Sequence, residues 1–253
     1  MKPQNFFAVL LGVGLLALMP ACSNPSQQEN ARQETSMQQP AENTSVENEA
    51  GEDEQNEMDE KGTPAPTSDA KTTMVNNLTD AFKGETTASA KYAAYSKKAE
   101  EEGYTQIAML FKATSLSEGI HANNHQAVLE ELGAAVPSFK PEFTVKTTAE
   151  NLKDAINGEG YEITTMYPQF LKNAKAADGK LATISLNYAF KTEQRHKPLY
   201  EKALAALEAK KVDSLASVYY VCQTCGNTFD GTAPKRCNIS MTKSDRFTKI
   251  DKV

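Results

Sequence analysis

Two copies of one short pattern define the chemistry open to this chain: Glu118 with His121, and Glu193 with His196, each a carboxylate and an imidazole three residues apart. On an α-helix, positions i and i+3 share a face, so each pair can present an oxygen and a nitrogen to one ion. A further carboxylate precedes each pair at nearly the same interval, with Glu85 33 residues before Glu118 and Glu159 34 residues before Glu193. If each interval folds as a helix, a short turn and a returning helix, equal rise brings the earlier glutamate level with the later pair. Two hairpins then supply two half-sites. Carboxylate-rich ligation with two imidazoles suits iron or manganese, which are hard enough for oxygen donors and able to change oxidation state.

Helices between about Asn76 and Lys210 must position these groups. The first is predicted from Val75 to Glu102, with Gly103 as a left-handed terminator, and Leu78, Phe82, Glu85, Tyr92 and Ala99 mark its inward stripe. The second runs from Tyr104 to Leu132 and stops at Gly133, carrying Ile107, Leu110, Phe111, Glu118, His121 and Val128 inward. A polar group on such a stripe is costly to bury unless paired, and a metal ion is the obvious partner. His125, one turn beyond His121, reads as a surface residue or a neighbour of the ligands. Residues 133–146, with Pro137 and Pro141, form a long crossover. Thr147 and Glu150 make a capping box that opens a third helix ending before Gly179. Gly158 and Gly160 flank Glu159 and predict a close approach to the backbone there. The fourth helix spans Lys180 to Lys210, and Pro198, which has no N–H to donate, predicts a kink just past His196. The fold class is mainly α: a four-helix bundle with one crossing connection. One Glu from each of two helices and Glu-x-x-His from each of the other two is the ferritin-like di-iron arrangement.

The runs LTDAFKGETTASAKY, EEGYTQIAMLF, SEGIHA, ENLKDAINGEGYEITTMYPQF and TEQRH resemble those of the rubrerythrins, and the resemblance covers most of residues 78–253. It implies that Glu118 and Glu193 bridge two irons, that Glu85 with either Glu162 or His121 completes one, and that Glu159 with His196 completes the other. It also implies that Tyr92 and Tyr167 lie beside the cluster, where a phenol can hydrogen-bond a ligand carboxylate or bound oxygen. The activity implied is reduction of hydrogen peroxide to water in oxidative-stress defence. The partners implied are an electron donor and a second copy of the chain in a homodimer. The alternative is an iron-binding or ferroxidase-type protein without peroxidase turnover. A helical adaptor with a degenerate site is a third, weaker reading.

The last segment, Tyr219 to Val253, is too short for a sufficient apolar core of its own and calls for a metal or a disulfide. Its run YVCQTCGNTFDGTAPKRCNIS resembles the rubredoxin-like tail of rubrerythrins, which holds one iron with four thiolates. Here Cys222, Cys225 and Cys237 are present, and the fourth position is Ser240. Three readings stay open: iron with Ser240 or water as the fourth ligand, zinc, or a Cys222–Cys225 disulfide without metal.

The amino-terminal part differs in composition. Met1 to Cys22 has one cation at Lys2, an apolar run from Phe6 to Met19, and small residues at its end, as a secretory signal does. The sequence LMPAC resembles a lipobox, in which Cys22 is lipidated and anchors the exported protein to a membrane, so the electron donor would be extracytoplasmic. Residues 23–70 carry 12 acidic and 2 basic side chains and no aromatic one, and predict a disordered acidic tether. The organisation expected is therefore a signal peptide (1–22), a tether (23–70), a di-iron bundle (71–212) and a rubredoxin-like domain (217–253). The net charge of −6 belongs to the tether, and no basic stripe argues for a nucleic-acid partner.

Overall fold

The computed structural model describes residues 65–253. The signal, Cys22 and nearly all of the tether lie outside them. The first helix, α1 (Ser68–Glu101), begins seven residues before the expected Val75. Thr67 caps it by accepting a hydrogen bond from the Ala70 amide at 3.2 Å, and Asp69 in the first turn complements the helix dipole. Residues 68–70 are thus helical, although they were expected at the end of the tether. Met74, in the added turns, is buried with Leu78, Ala81 and Phe82.

Glycine ends the hairpin's first arm as expected. Gly103 adopts φ +84°, its N–H bonds to Glu100 O, and Tyr104 N reaches back to Ala99 O at 2.8 Å, which closes a Schellman turn. Helix α2 (Thr105–Glu131) returns along α1 and ends in the same way at Gly133. The crossover to residue 147 has no regular structure. The predicted capping box is present: Thr147 Oγ1 accepts from the Glu150 amide, and Thr147 N donates to Glu150 Oε2 at 3.3 Å.

The third rod is not one α-helix. It is α3 (Thr148–Tyr161), a π-helical turn (Glu162–Met166) and α4 (Tyr167–Ala176). Pro168 supplies the physical reason: it cannot donate to residue 164, and one widened turn ahead of it, with Tyr167 N bonding to Glu162 O, absorbs the missing bond. Helix α5 (Lys180–Glu208) continues through Pro198.

The bundle core lies in two apolar clusters, one around Tyr92, Phe111 and Tyr200, the other around Leu78, Leu129, Tyr167 and Leu186. The tail is a three-stranded antiparallel sheet of β1 (Tyr219–Cys222), β2 (Thr228–Asp230) and β3 (Phe247–Ile250) in the order β2-β1-β3. Its Tyr219, Val221 and Ile250 join the first bundle cluster, so sheet and bundle share one core. The architecture is a ferritin-like four-helix bundle with a small rubredoxin-like domain.

Candidate metal centre

The four rods bring the two half-sites together at mid-bundle. Glu85 (α1), Glu118 and His121 (α2) and Glu193 (α5) form one group; Glu118, Glu159 (α3), Glu193 and His196 (α5) form the other. Within each group the ligand atoms all lie within 4.8 Å of one another, and every one of these side chains is buried. Glu118 and Glu193 belong to both groups. Glu118 turns Oε2 to His121 Nδ1 (2.9 Å) and Oε1 to His196 Nδ1 (3.1 Å), while Glu193 turns Oε1 to His121 Nδ1 (3.0 Å) and Oε2 to His196 Nδ1 (2.8 Å). Each of the two carboxylates therefore offers one oxygen to each half-site, which is the geometry of a bridge. Glu85 Oε2 lies 3.6 Å from His121 Nδ1, and Glu159 Oε1 lies 3.9 Å from His196 Nδ1.

These short approaches are not hydrogen bonds. Both oxygens of Glu118 and Glu193, Oε2 of Glu159 and Nδ1 of both histidines are buried without a hydrogen-bond partner among the described residues. Such atoms are costly unless something else satisfies them. Adjacent ligands on an octahedral ion with bonds of roughly 2.1 Å stand about 3.0 Å apart, and the bridging contacts match that edge. The donor set, carboxylate oxygens with two imidazole nitrogens, fits two irons.

The tail fixes the histidine tautomers. His121 Nε2 faces the Cys225 carbonyl at 3.0 Å, which only accepts, so Nε2 carries a proton and the neutral ring offers its lone pair at Nδ1. Thr228 Oγ1 donates to Gly226 O at 3.2 Å and so accepts from His196 Nε2 at 3.0 Å, with the same result. Ser117 Oγ donates to Gly226 O (2.7 Å), Thr192 Oγ1 to Cys225 O (3.1 Å) and Asn124 Nδ2 to Thr224 O (3.0 Å). The first cysteine turn of the tail thus lies directly on the ligands of its own chain's bundle. A Cβ at Gly226 would overlap His121 Nε2 and lie 2.6 Å from Ser117 Oγ, and the residue has φ +77°. By contrast, a Cβ at Gly158 or Gly160 would come no nearer than 4.0 or 3.7 Å to its neighbours. The crowded glycine of the site is therefore Gly226, where a second domain meets the bundle.

Without a metal, the charges are strained. Burial pushes Glu85 up to about 8 and Glu159 well above the carboxylate range. Burial alone would lower His196, but the Glu118 and Glu193 carboxylates outweigh it and raise it to about 9. Burial would raise Glu193, yet the two imidazoles draw it down. Cations in the half-sites would displace these protons.

Tyr92 Oη donates to Glu159 Oε1 at 3.0 Å, and Tyr167 Oη donates to Glu85 Oε1. Burial, then the nearby carboxylates, holds both phenols protonated. His125 is buried and not at the surface. With the Tyr167 proton on Glu85, His125 Nε2 donates to Tyr167 Oη (3.4 Å) and Nδ1 accepts from Ser185 Oγ (2.8 Å). Burial, then the charge at His121, lowers its pKa to about 3, which agrees with that neutral tautomer. Sequence reasoning missed this donor chain; the i+4 spacing from His121 was the available signal. Glu162 stands apart from both groups. It opens the π turn, is half-buried, and is raised by burial and by the Glu85, Glu193 and Glu118 carboxylates.

In the tail, Cys222, Cys225 and Cys237 are buried and free, with all three Sγ atoms within 4.8 Å of one another. Such a cluster fits one thiophilic ion.

The Rubrerythrin family model matches residues 76–204. Rubrerythrin-2 of Clostridium acetobutylicum is 35% identical over 171 residues, covering 67% of this chain and 92% of the relative. Nigerythrin of Nitratidesulfovibrio vulgaris is 33% identical over 188 residues, covering 72% of this chain and 90% of the relative. Among solved structures, nigerythrin in its fully reduced, all-ferrous state superposes with a TM-score of 0.63 at 31% identity, over 78% of this chain and 98% of that one. Bacterioferritin of Mycobacterium tuberculosis, at 18% identity and a TM-score of 0.51, shares the fold alone.

Proposed function

The chain belongs to the rubrerythrin family of di-iron oxidoreductases, and from this we propose that it is a peroxidase that reduces hydrogen peroxide to water in defence against oxidative stress. When bound, two irons at the bundle site would supply the two electrons that, with two protons, convert one peroxide to two waters. The observation that carries the reading is the choice of ligand at the first half-site. His121 is turned inward, while Glu162, on the one π turn of the bundle, stands outside the cluster. His121 offers the half-site a neutral imidazole, and Glu162, which feels the charges of Glu85 and Glu193, would offer a carboxylate once a cation drew off its proton, so the chain can match its ligand charge to the oxidation state there.

The remaining side chains position and insulate. Tyr92 holds Glu159, and Tyr167 holds Glu85, each through a phenol proton that burial keeps in place. The tail covers the ligand histidines and excludes water from their Nε2 edges. Cys225 offers its thiol to the tail cluster and its carbonyl to His121, so a single residue links the two redox sites. Export and anchoring through a lipid on Cys22 belong to the same proposal, as do a homodimer and an extracytoplasmic electron donor.

The test is steady-state peroxide consumption by the iron-loaded full chain with a chemical reductant. Turnover that disappears in Glu193→Ala supports the proposal; iron-loaded protein that oxidises once and consumes no further peroxide refutes it.

A further inference from the structure

The tail has lost the thiol but kept the turn that would hold it. In the first cysteine turn, Cys222 N donates to Asn227 O (3.0 Å), Gly226 N donates to Cys222 O (2.9 Å), and Gly226 adopts φ +77°. The second turn repeats each feature. Cys237 N donates to Thr242 O (2.8 Å), Met241 N donates to Cys237 O (3.0 Å), and Met241 adopts φ +60°. A methionine in the left-handed region is strained in a way that glycine is not. Ser240 therefore occupies in the second turn the place that Cys225 occupies in the first.

We propose that Ser240 Oγ is the fourth ligand of an iron in the tail, which makes the site three thiolates and one oxygen. This rests on the reading that the tail holds iron, as the resemblance of its cysteine run to rubredoxin-like tails implies. Ser240 Oγ lies 3.4 Å from Cys222 Sγ, and Cys225 Sγ lies 3.5 Å from Cys237 Sγ. A tetrahedral ion with bonds of roughly 2.3 Å to sulfur and 2.1 Å to oxygen would set these edges at about 3.6 and 3.8 Å. The hydroxyl is oriented for the task. Thr242 Oγ1 donates to Thr224 Oγ1 (2.8 Å), so it accepts from Ser240 Oγ, also at 2.8 Å. The serine hydrogen points away from the sulfurs and its lone pairs are left facing them. The Ile239 amide (3.4 Å) and Asn227 Nδ2 (3.6 Å) donate to Cys237 Sγ, supporting a thiolate there.

An oxygen donor is harder than the sulfur it replaces and favours the ferric ion, so the tail would give up its electron more readily than a four-thiolate site. The tail and bundle irons can be told apart: metal analysis gives the total, two from the bundle plus one from the tail, whereas the tail iron alone gives an isolated high-spin ferric resonance. The experiment loads the full chain with ferrous iron anaerobically, oxidises it, and records that resonance in ordinary water and in water enriched in the magnetic oxygen isotope. Wild type is expected to hold a third iron and to show no isotope broadening, because serine oxygen does not exchange. Ser240→Ala is expected either to broaden, with water taking the vacated position, or to lose the third iron while keeping two. Ser240→Cys is expected to stay unbroadened and to acquire four-thiolate absorption. Broadening in wild type, absence of the isolated signal in wild type, or an iron-retaining Ser240→Ala with wild-type linewidth and absorption would each overturn the proposal.

Discussion

Gly226→Ala tests whether the contact between tail and bundle carries electrons. The new methyl would overlap His121 Nε2 and crowd Ser117 Oγ, so the first cysteine turn must lift from the bundle. Lifting breaks three hydrogen bonds, Ser117 to Gly226 O, His121 to Cys225 O and Asn124 to Thr224 O, while Thr192 keeps Tyr188 O as its acceptor. At about 1 kcal/mol net apiece, docking loses roughly 2–3 kcal/mol, a shift of about 30- to 150-fold toward the undocked form. The left-handed strain at φ +77° is a separate cost, about 1–2 kcal/mol, borne by the tail whether docked or not. The expected result is loss of hydrogen-exchange protection for the amides of residues 219–228 and a much slower reduction of the bundle irons through the tail. Oxidation of a pre-reduced cluster by peroxide should persist, since no bundle ligand is altered. A variant with wild-type exchange protection and wild-type reduction rate would show that the contact carries neither docking energy nor electrons.

Tyr92→Phe removes the hydroxyl that donates to Glu159 Oε1 and should weaken metal retention at the second half-site about 10- to 100-fold, as measured by chelator competition. Glu102 bridges the end of α1 to the start of α3, accepting from Thr148 N at 3.0 Å with Lys98 at 3.2 Å. Burial slightly opposes its charge, but the Thr148 and Lys98 bonds hold its pKa below the ordinary value. A depressed folded-state pKa contributes stability above the unfolded value that is lost as pH falls through the folded one. Glu102→Gln should therefore cost about 0.5–1 kcal/mol in denaturant titrations at neutral pH, with the gap from wild type closing in acid. Cys22→Ala should move the protein from the detergent phase to the aqueous phase; unchanged partitioning would remove the lipid anchor from the account.

The clustering of Glu85, Glu118, His121, Glu159, Glu193 and His196 was legible because it obeys local rules: i and i+3 share a helix face, and near-equal intervals bring Glu85 and Glu159 level with their pairs. Helix ends at Gly103 and Gly133 and the Thr147 cap were legible for the same reason. What escaped was set by neighbours. Thr67 starts α1 inside a polar stretch that composition assigns to the tether; its capping bond to Ala70 is local, but Met74's burial, which ties these turns to the core, depends on the bundle. The π turn carried a signal at Pro168, whose missing N–H has a local consequence. The expected close approach at Gly158 and Gly160 was instead found at Gly226, since sequence gives no sign of which domain surface will press on which glycine. His125 became a buried donor only once α5 had brought Ser185 and the π-bent rod had brought Tyr167 beside it.

The proposed function makes peroxide, rather than dioxygen, the oxidant to which the reduced bundle is matched. Stopped-flow oxidation of the fully reduced protein, with hydrogen peroxide and dioxygen compared at equal concentration, tests it most directly. Peroxide is expected to oxidise the cluster faster, and Glu162→Ala to erode this preference. Equal rates, or faster oxidation by dioxygen, would contradict it and favour an iron-oxidising protein.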